Sequence, residues 1–162
     1  MHILLILQLL MLLTLANGAP VIAKKVSGGY FAFPLDFGVT FFDDRPLFGS
    51  SKTLRGIAAA VLATTVIAPL VGFDLMIGAI VAGAAMAGDL FSSFVKRRMN
   101  LAPSSQAIGL DQIPESLFPM VACRDVLSLN AVDIALGVLF FFVGEIVLSR
   151  LLFCIHLRDR PY

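Results

Sequence analysis

The 162-residue chain is 59% hydrophobic and 14% charged, with a mean hydropathy of +0.94. Soluble domains run nearer half apolar and a quarter charged, so this composition excludes a water-soluble domain and points to an integral membrane protein. A formal net charge of +1 gives no reason to expect a nucleic-acid partner, and the placement of the charges says more than their sum.

Residues 3–18 form the first expected span. The run Ile3 to Ala16 followed by Asn17, Gly18 and Ala19 resembles a signal peptide, but only His2 precedes it and the cations Lys24 and Lys25 follow it. That asymmetry favours an uncleaved span with its amino terminus outside. Gly18 to Lys52 is polar-leaning and holds Pro20, Pro34 and Pro46, yet it carries Phe31, Phe33, Phe37, Phe41, Phe42 and Phe48. A disordered linker would not hold those aromatics, so an ordered loop is expected, packed on the helices or at the membrane surface.

Residues 53–71 form the second expected span, with Ser50, Ser51 or Thr53 available to cap it. Gly72-Phe73-Asp74 makes a tight turn into the third, residues 75–95. Gly78, Ala79, Ala82, Gly83, Ala87 and Gly88 keep one face of that helix small, as close helix packing in lipid requires. Gly88 is also expected to leave room for a bound group beside Asp89. The fourth segment, residues 113–128, is weak. Its apolar core from Leu117 to Cys123 falls short of the ~20 residues of a full span, and Arg124 and Asp125 interrupt it. Residues 131–155 are a strong last span. Cys123 and Cys154 stand apart in apolar surroundings and read as packing residues, without zinc-ligand or disulfide spacing.

If the fourth segment crosses, every lysine and arginine of the chain's 12 except Arg124 faces the cytoplasm. If it does not, Arg158 and Arg160 move outside and the positive-inside rule is broken. The expected architecture is therefore an all-α protein of the cytoplasmic membrane, one domain over 1–162 with about five transmembrane helices. Its amino terminus is outside, its carboxyl terminus inside, and two cytoplasmic loops form a polar cavity.

Those two loops hold the chemistry. Gly49-Ser50-Ser51-Lys52-Thr53 is not a phosphate loop of the GxxxxGK[ST] type, because Pro46 and Ser51 stand where glycines are needed. It is instead a Gly-Ser-Ser turn into a helix, with Lys52 and Arg55 beside an amino end suited to an anion. A capped helix whose cations touch lipid headgroups is the plainer account of the turn alone.

From Ala87 to Glu115 the pattern is more specific. Asp89, Ser93 and Lys96 share a helical face, with Lys96 about 10 Å along the axis from Asp89. An ionisable residue inside a membrane helix is expensive and usually lines a cavity or is paired internally, so a structural Asp89–Lys96 or Asp89–Arg55 ion pair is the alternative. Asp111 and Glu115 stand across the following loop at i, i+4 spacing. Carboxylates facing lysines and arginines suit a magnesium nucleotide site, in which Mg²⁺ takes one or two carboxylates and completes its shell with water and phosphate oxygens. No Ser-His-Asp or Cys-His arrangement is visible. Glu145, in the last span, reads as structural.

Ala16-Asn17-Gly18-Ala19-Pro20, Pro34-Leu35-Asp36, Asp43-Asp44-Arg45-Pro46-Leu47-Phe48-Gly49, Lys52-Thr53-Leu54-Arg55-Gly56, Gly88-Asp89, Ser93-Phe94-Val95-Lys96-Arg97-Arg98 and Leu110-Asp111-Gln112 stand in an order and spacing that resembles the CDP-archaeol synthase family, relatives of the CDP-diacylglycerol synthases. The resemblance implies a five-helix fold and a cavity that binds CTP with Mg²⁺. The implied reaction passes CMP from CTP to a lipid phosphate, an archaetidic-acid-like acceptor or phosphatidic acid, and releases pyrophosphate.

Carried over by position, the resemblance makes Asp111 and then Asp89 the metal ligands, with Glu115 third, and Asp89, Lys96 and Asp111 the catalytic set. It gives Lys52, Arg55, Lys96 and Arg97 phosphates to hold. Asp36, Asp43 and Arg45 order the first loop or touch the nucleotide, and Thr53 and Ser93 are lesser binding candidates. The chain departs from the family at Asp44, where glycine is usual, at Leu54, where tryptophan is usual, and at Ile113-Pro114-Glu115, where another aspartate often follows. Its short fourth span resembles a bacterial branch.

Two other readings stay open from the residues. One is a small non-enzymatic membrane carrier or binding protein for an anionic lipid or solute, which should show repeats or paired broken helices; no convincing repeat is seen. The other is a catalytically lapsed homologue. The sequence leaves the oligomeric state open.

Overall fold

The structure, a computed structural model, describes residues 2–154. His156 and the charged tail residues Arg158, Asp159 and Arg160 lie outside the described residues. Five helices follow one another, α1 (Ile3–Ser27), α2 (Leu54–Val71), α3 (Leu75–Arg98), α4 (Gln112–Ala122) and α5 (Ala131–Cys154). Four of them, all but α4, are long and apolar enough to cross a membrane.

α1 runs nine residues past the expected end of the first span, through Pro20. Proline removes one backbone hydrogen bond. The packing offsets this loss, because Pro20 docks on Gly56 of α2, where even a Cβ would come within 3.3 Å of the proline ring. Thr53 caps α2 by accepting from the Gly56 N–H at 3.2 Å, and Gly72 closes the helix in the left-handed region at φ 101°. Asp74 then caps α3, its carboxylate accepting from Ile77 N at 2.7 Å. Gly78 lets α3 lie directly on the backbone of α2 at Thr64 and Thr65, the packing that a small-residue face is built for.

α1 packs on α2, α3 and α5, while α4 fills the gap between α3 and α5. At one end, His2 donates its backbone N–H to Asp133 Oδ1 and its ring Nδ1 meets Oδ2, both at 3.0 Å. The first turns of α1 and α5 are therefore neighbours, and the two helices run the same way. The segment before α5 must thus return the chain to that end, although α4 has only 11 residues, about 16 Å of helix against a ~30 Å hydrocarbon core.

The rest of the distance is covered by loop 99–111, which folds back down α3. Leu101 N bonds Lys96 O, Lys96 Nζ bonds Ser105 O, Ser92 Oγ bonds Leu110 O, and the backbone of Pro114 and Glu115 lies on Gly88. Irregular backbone at membrane depth is tolerated where protein satisfies its polar groups, and here Ser92 and Lys96 do so. The weak fourth segment is short, with Pro114, Glu115, Pro119 and Met120 buried on one face and Ile113, Phe118 and Val121 exposed on the other.

Candidate active site

Loop 28–53 is tied down at two places. Asp36 accepts from the backbone N–H groups of Gly38, Phe48 and Gly49 at 3.2, 3.1 and 2.8 Å, closing the loop on itself. Burial opposes its charge, but those three donors outweigh burial and hold the carboxyl below its ordinary value. The second tie is Arg98 at the end of α3. It pairs with Asp43 at 2.8 Å, donates to Pro46 O at 2.6 Å and lies 4.9 Å from the ring centres of both Phe41 and Phe94. Arg45 returns the contact by donating to Arg98 O at 2.8 Å, a cation on the negative end of a helix. Of the six loop phenylalanines, Phe41 serves here, with Phe94 of α3, as the seat of an arginine, while Phe31, Phe33, Phe37 and Phe42 are exposed.

So held, the loop delivers Lys52 to the middle of α3. Leu35 N bonds Lys52 O at 2.7 Å, and Lys52 Nζ meets both carboxylate oxygens of Asp89 at 2.6 Å. Burial lowers the ammonium's pKa, but attraction to Asp89 prevails and raises it overall. About two turns further along α3, Lys96 Nζ pairs with Asp111 Oδ1 at 2.6 Å. The other oxygen of Asp111 accepts from Ala107 N at 2.8 Å. Two acid–base pairs thus stand along one face of α3, each joining that helix to a different loop.

Glu115, only 5% exposed, is buried behind them, and its Oε1 has no hydrogen-bond partner. It interacts electrostatically with Asp89, Asp111, Lys52 and Glu145. Arg97 is buried too. One terminal nitrogen donates to Ala102 O at 2.9 Å, whereas Nε and Nη1 have no hydrogen-bond partner. Nη1 stands 3.6 Å from where a Cβ on Gly49 would lie, so these unused donors face the Gly-Ser-Ser turn. Buried donors and acceptors left unpaired are rare and costly.

The residues singled out by sequence are sorted unequally. Asp89, Lys96, Asp111, Glu115 and Lys52 come together, with Ser93 buried on the same helix and Arg97 at its edge. Asp36, Asp43 and Arg45 order the first loop. Thr53 is spent on its cap. Arg55 turns the other way, donating to Ser27 Oγ, Gly28 O and Tyr30 O at the end of α1. The alternative pairs Asp89–Lys96 and Asp89–Arg55 do not form, because both cations have other acceptors and Lys52 takes Asp89.

Gly88 does not leave room for a ligand. A Cβ there would collide with the Pro114 carbonyl and come within 2.8 Å of Glu115 Cα, so the space is filled by α4. Ser92, Arg98 and Gln112 were not singled out for the site. The signal for Ser92 was its three-residue step from Asp89. Gln112, whose Oε1 accepts from Gly109 N at 2.9 Å, gave none beyond its place next to Asp111.

Known proteins similar to this chain fall in one family. A family profile described as CarS-like, CDP-archaeol synthase, matches residues 2–81. The CDP-archaeol synthase of Sulfurisphaera tokodaii is 32% identical over 153 residues, 91% of this chain and 89% of that protein. The Pyrococcus furiosus enzyme of the same name is 39% identical over 107 residues, 60% of each chain. The chain thus spans about 60% of the length of that relative. A solved structure described as an intramembrane enzyme for archaeal membrane lipid biosynthesis superposes with a TM-score of 0.64 at 28% identity, over 86% of this chain and 91% of that one. With 32% identity across 91% of its length to one member and a matching fold at a TM-score of 0.64, this chain belongs to the CDP-archaeol synthase family.

Proposed function

We propose that the protein transfers CMP from CTP to a lipid phosphate, releasing pyrophosphate and leaving a CDP-activated lipid. The observation that carries this reading is the pairing of Lys52 with Asp89 and Lys96 with Asp111 at 2.6 Å each, beside Arg97 with its unused donors. The cluster combines cations for phosphates with carboxylates for a hard metal ion, inside an integral membrane protein.

The chemistry follows from charge. A lipid phosphate monoester has a second pKa of about 6 and is largely dianionic near neutrality, so one of its oxygens attacks the α-phosphorus of CTP without a general base. A new P–O–P bond forms and the bond between the α-phosphorus and the bridging β-oxygen breaks, the electron pair leaving with pyrophosphate. Lys52, Lys96 and Arg97 relieve repulsion between the two anions and stabilise charge on the leaving group. Arg55, engaged with the end of α1, is left with a supporting role in loop order.

Asp89 and Asp111, with Glu115 behind them, would hold Mg²⁺. Among the described residues no three acidic, histidine or cysteine side chains already form a metal cage. Mg²⁺ needs only one or two carboxylates when phosphate oxygens complete its shell, so the donor set fits a cation that arrives with a triphosphate. Bound there, Mg²⁺ supplies charge neutralisation on phosphate oxygens.

The cations Lys24, Lys25, Lys52, Arg55, Lys96, Arg97 and Arg98 gather at the end of the bundle opposite His2 and Asp133. The positive-inside rule makes that end cytoplasmic, with the amino terminus outside and the site facing the CTP pool. Incubating purified protein with CTP, Mg²⁺ and a panel of prenyl-ether and diacyl phosphates tests the reading. Pyrophosphate release with at least one acceptor is expected, and none with any acceptor removes it.

A further inference from the structure

Between α1 and α5 lies a cavity of about 330 Å³, lined by none of the paired lysines and aspartates of the charge cluster. Leu10, Phe140 and Phe141 line it near the middle of the bundle, and Asn17, Lys25, Glu145 and Ser149 line it toward the end where the charge cluster lies. Its polarity thus runs as that of a lipid in the inner leaflet does, with apolar groups at the bilayer centre and polar groups at the surface. Ile22 and Phe140, both lining residues, are exposed on the outer face, so the cavity borders the bilayer itself.

Three details set it apart from an ordinary seam between helices. Gly18 and Gly144 line it, yet no atom lies within 4 Å of where their Cβ atoms would stand. Gly78 and Gly88, by contrast, are filled by a neighbouring helix. Small residues in membrane helices ordinarily serve close packing; here they leave space. Asn17 Nδ2 is buried without a hydrogen-bond partner, an unused donor suited to an ester or ether oxygen. Glu145, in the wall, interacts electrostatically with Glu115 of the charge cluster, so the cavity adjoins the site.

We propose that one hydrocarbon chain of the acceptor lipid lodges in this cavity, with its glycerol oxygens near Asn17 and its phosphate passed on to Lys52 and Lys96. The apolar lining suits the hydrocarbon, and the phosphate finds its cationic partners in the charge cluster, at Lys52 and Lys96. The inference rests on the cytidylyltransferase reading and makes chain recognition, as well as the phosphate, part of substrate choice.

The vacant glycines permit a clean test, because a larger side chain at either position enters empty space and spares the fold. Gly18→Leu and Gly144→Leu should raise KM for a long-chain phosphatidic acid by about tenfold, the loss of a few methylene contacts. KM for CTP and turnover of a short-chain acceptor should stay unchanged. An unaltered ratio of long- to short-chain activity would overturn the proposal while leaving the reaction intact.

A second arm needs no turnover. A phosphatidic acid carrying a diazirine in one chain should label α1 and α5 around Gly18 and Gly144. Long-chain phosphatidic acid should chase that label, excess neutral diacylglycerol should not, and Gly144→Leu should lose it. Labelling spread over all lipid-facing helices, or chased equally by the neutral lipid, would identify bulk lipid and overturn the assignment.

Discussion

Lys52 Nζ lies 2.6 Å from both carboxylate oxygens of Asp89, so a loop residue next to α2 is locked to the middle of α3. Lys52→Met leaves Asp89 unpaired in a site about a quarter exposed, and should cost about 1–3 kcal/mol. Thermal unfolding in detergent measures it. The double variant Lys52→Met/Asp89→Leu should recover most of the loss, because removing both partners leaves no unpaired charge.

The two lysines hold the carboxylates that a metal would need. In the absence of nucleotide, Mn²⁺ should therefore bind weakly, and CTP should strengthen its binding beyond simple chelation in solution. Lys52→Met or Lys96→Met should bind Mn²⁺ more tightly than the parent protein when no nucleotide is present. Electron paramagnetic resonance titration reads free Mn²⁺ directly. Tight saturable binding to the nucleotide-free parent would show that the pairs do not compete with metal.

Asp111→Asn keeps the shape that accepts from Ala107 N but removes the charge opposite Lys96. Turnover should fall by about 100-fold or more, with helical content by circular dichroism unchanged. Parent-like rates would remove Asp111 from the catalytic set.

Gly88 carries α4. Gly88→Ala forces a methyl group onto the Pro114 carbonyl and should destabilise the protein by about 1–3 kcal/mol, displacing Glu115. Gly83→Ala, which meets nothing within 4 Å, should be neutral or slightly stabilising, since alanine is the better helix former.

Two charges outside the helices set the pH limits of the first loop. Asp36 has a lowered pKa in the folded protein. Its contribution is complete above the ordinary value near 3.9 and is lost as pH falls through the lowered one. Lys52 has a raised pKa, so its contribution is complete below about 10.4 and is lost as pH rises through the raised value. Hydrogen exchange at Phe48 and Gly49 should therefore stay slow, relative to the intrinsic rate, across the neutral range. Asp36→Asn, which cannot offer the same acceptors, should speed it across the neutral range, with the difference from the parent vanishing as pH falls through the lowered pKa of Asp36.

How much of this could be read from the residues differs between the two halves of the site. Helix type and the positions of α2, α3 and α5 followed from hydrophobic run length, and Thr53 was one of three caps offered for α2, whereas Asp74, read only as part of a turn, proves to cap α3. The gathering of Asp89, Lys96 and Asp111 followed from helical spacing and the family motifs. The end of α1 was misjudged because Pro20 is tolerated through a contact with Gly56, 36 positions away in the chain, which no local signal carries. Gly88 was misread for the same reason: a small residue makes space, but only the fold decides whether a helix or a ligand fills it. The partner of Asp89 was missed because Lys52 reaches it through a loop whose path depends on Asp36 and Arg98.

The central claim is that the cytidylyl group, and no other part of CTP, passes to a lipid. Supplying CTP labelled at the α-phosphate in one reaction and at the γ-phosphate in another, with Mg²⁺ and a lipid phosphate, tests it most directly. The account predicts α-label in the organic phase as a cytidine-containing lipid, with γ-label remaining in aqueous pyrophosphate. Label from the γ-phosphate in the lipid, or none from either position, would contradict it.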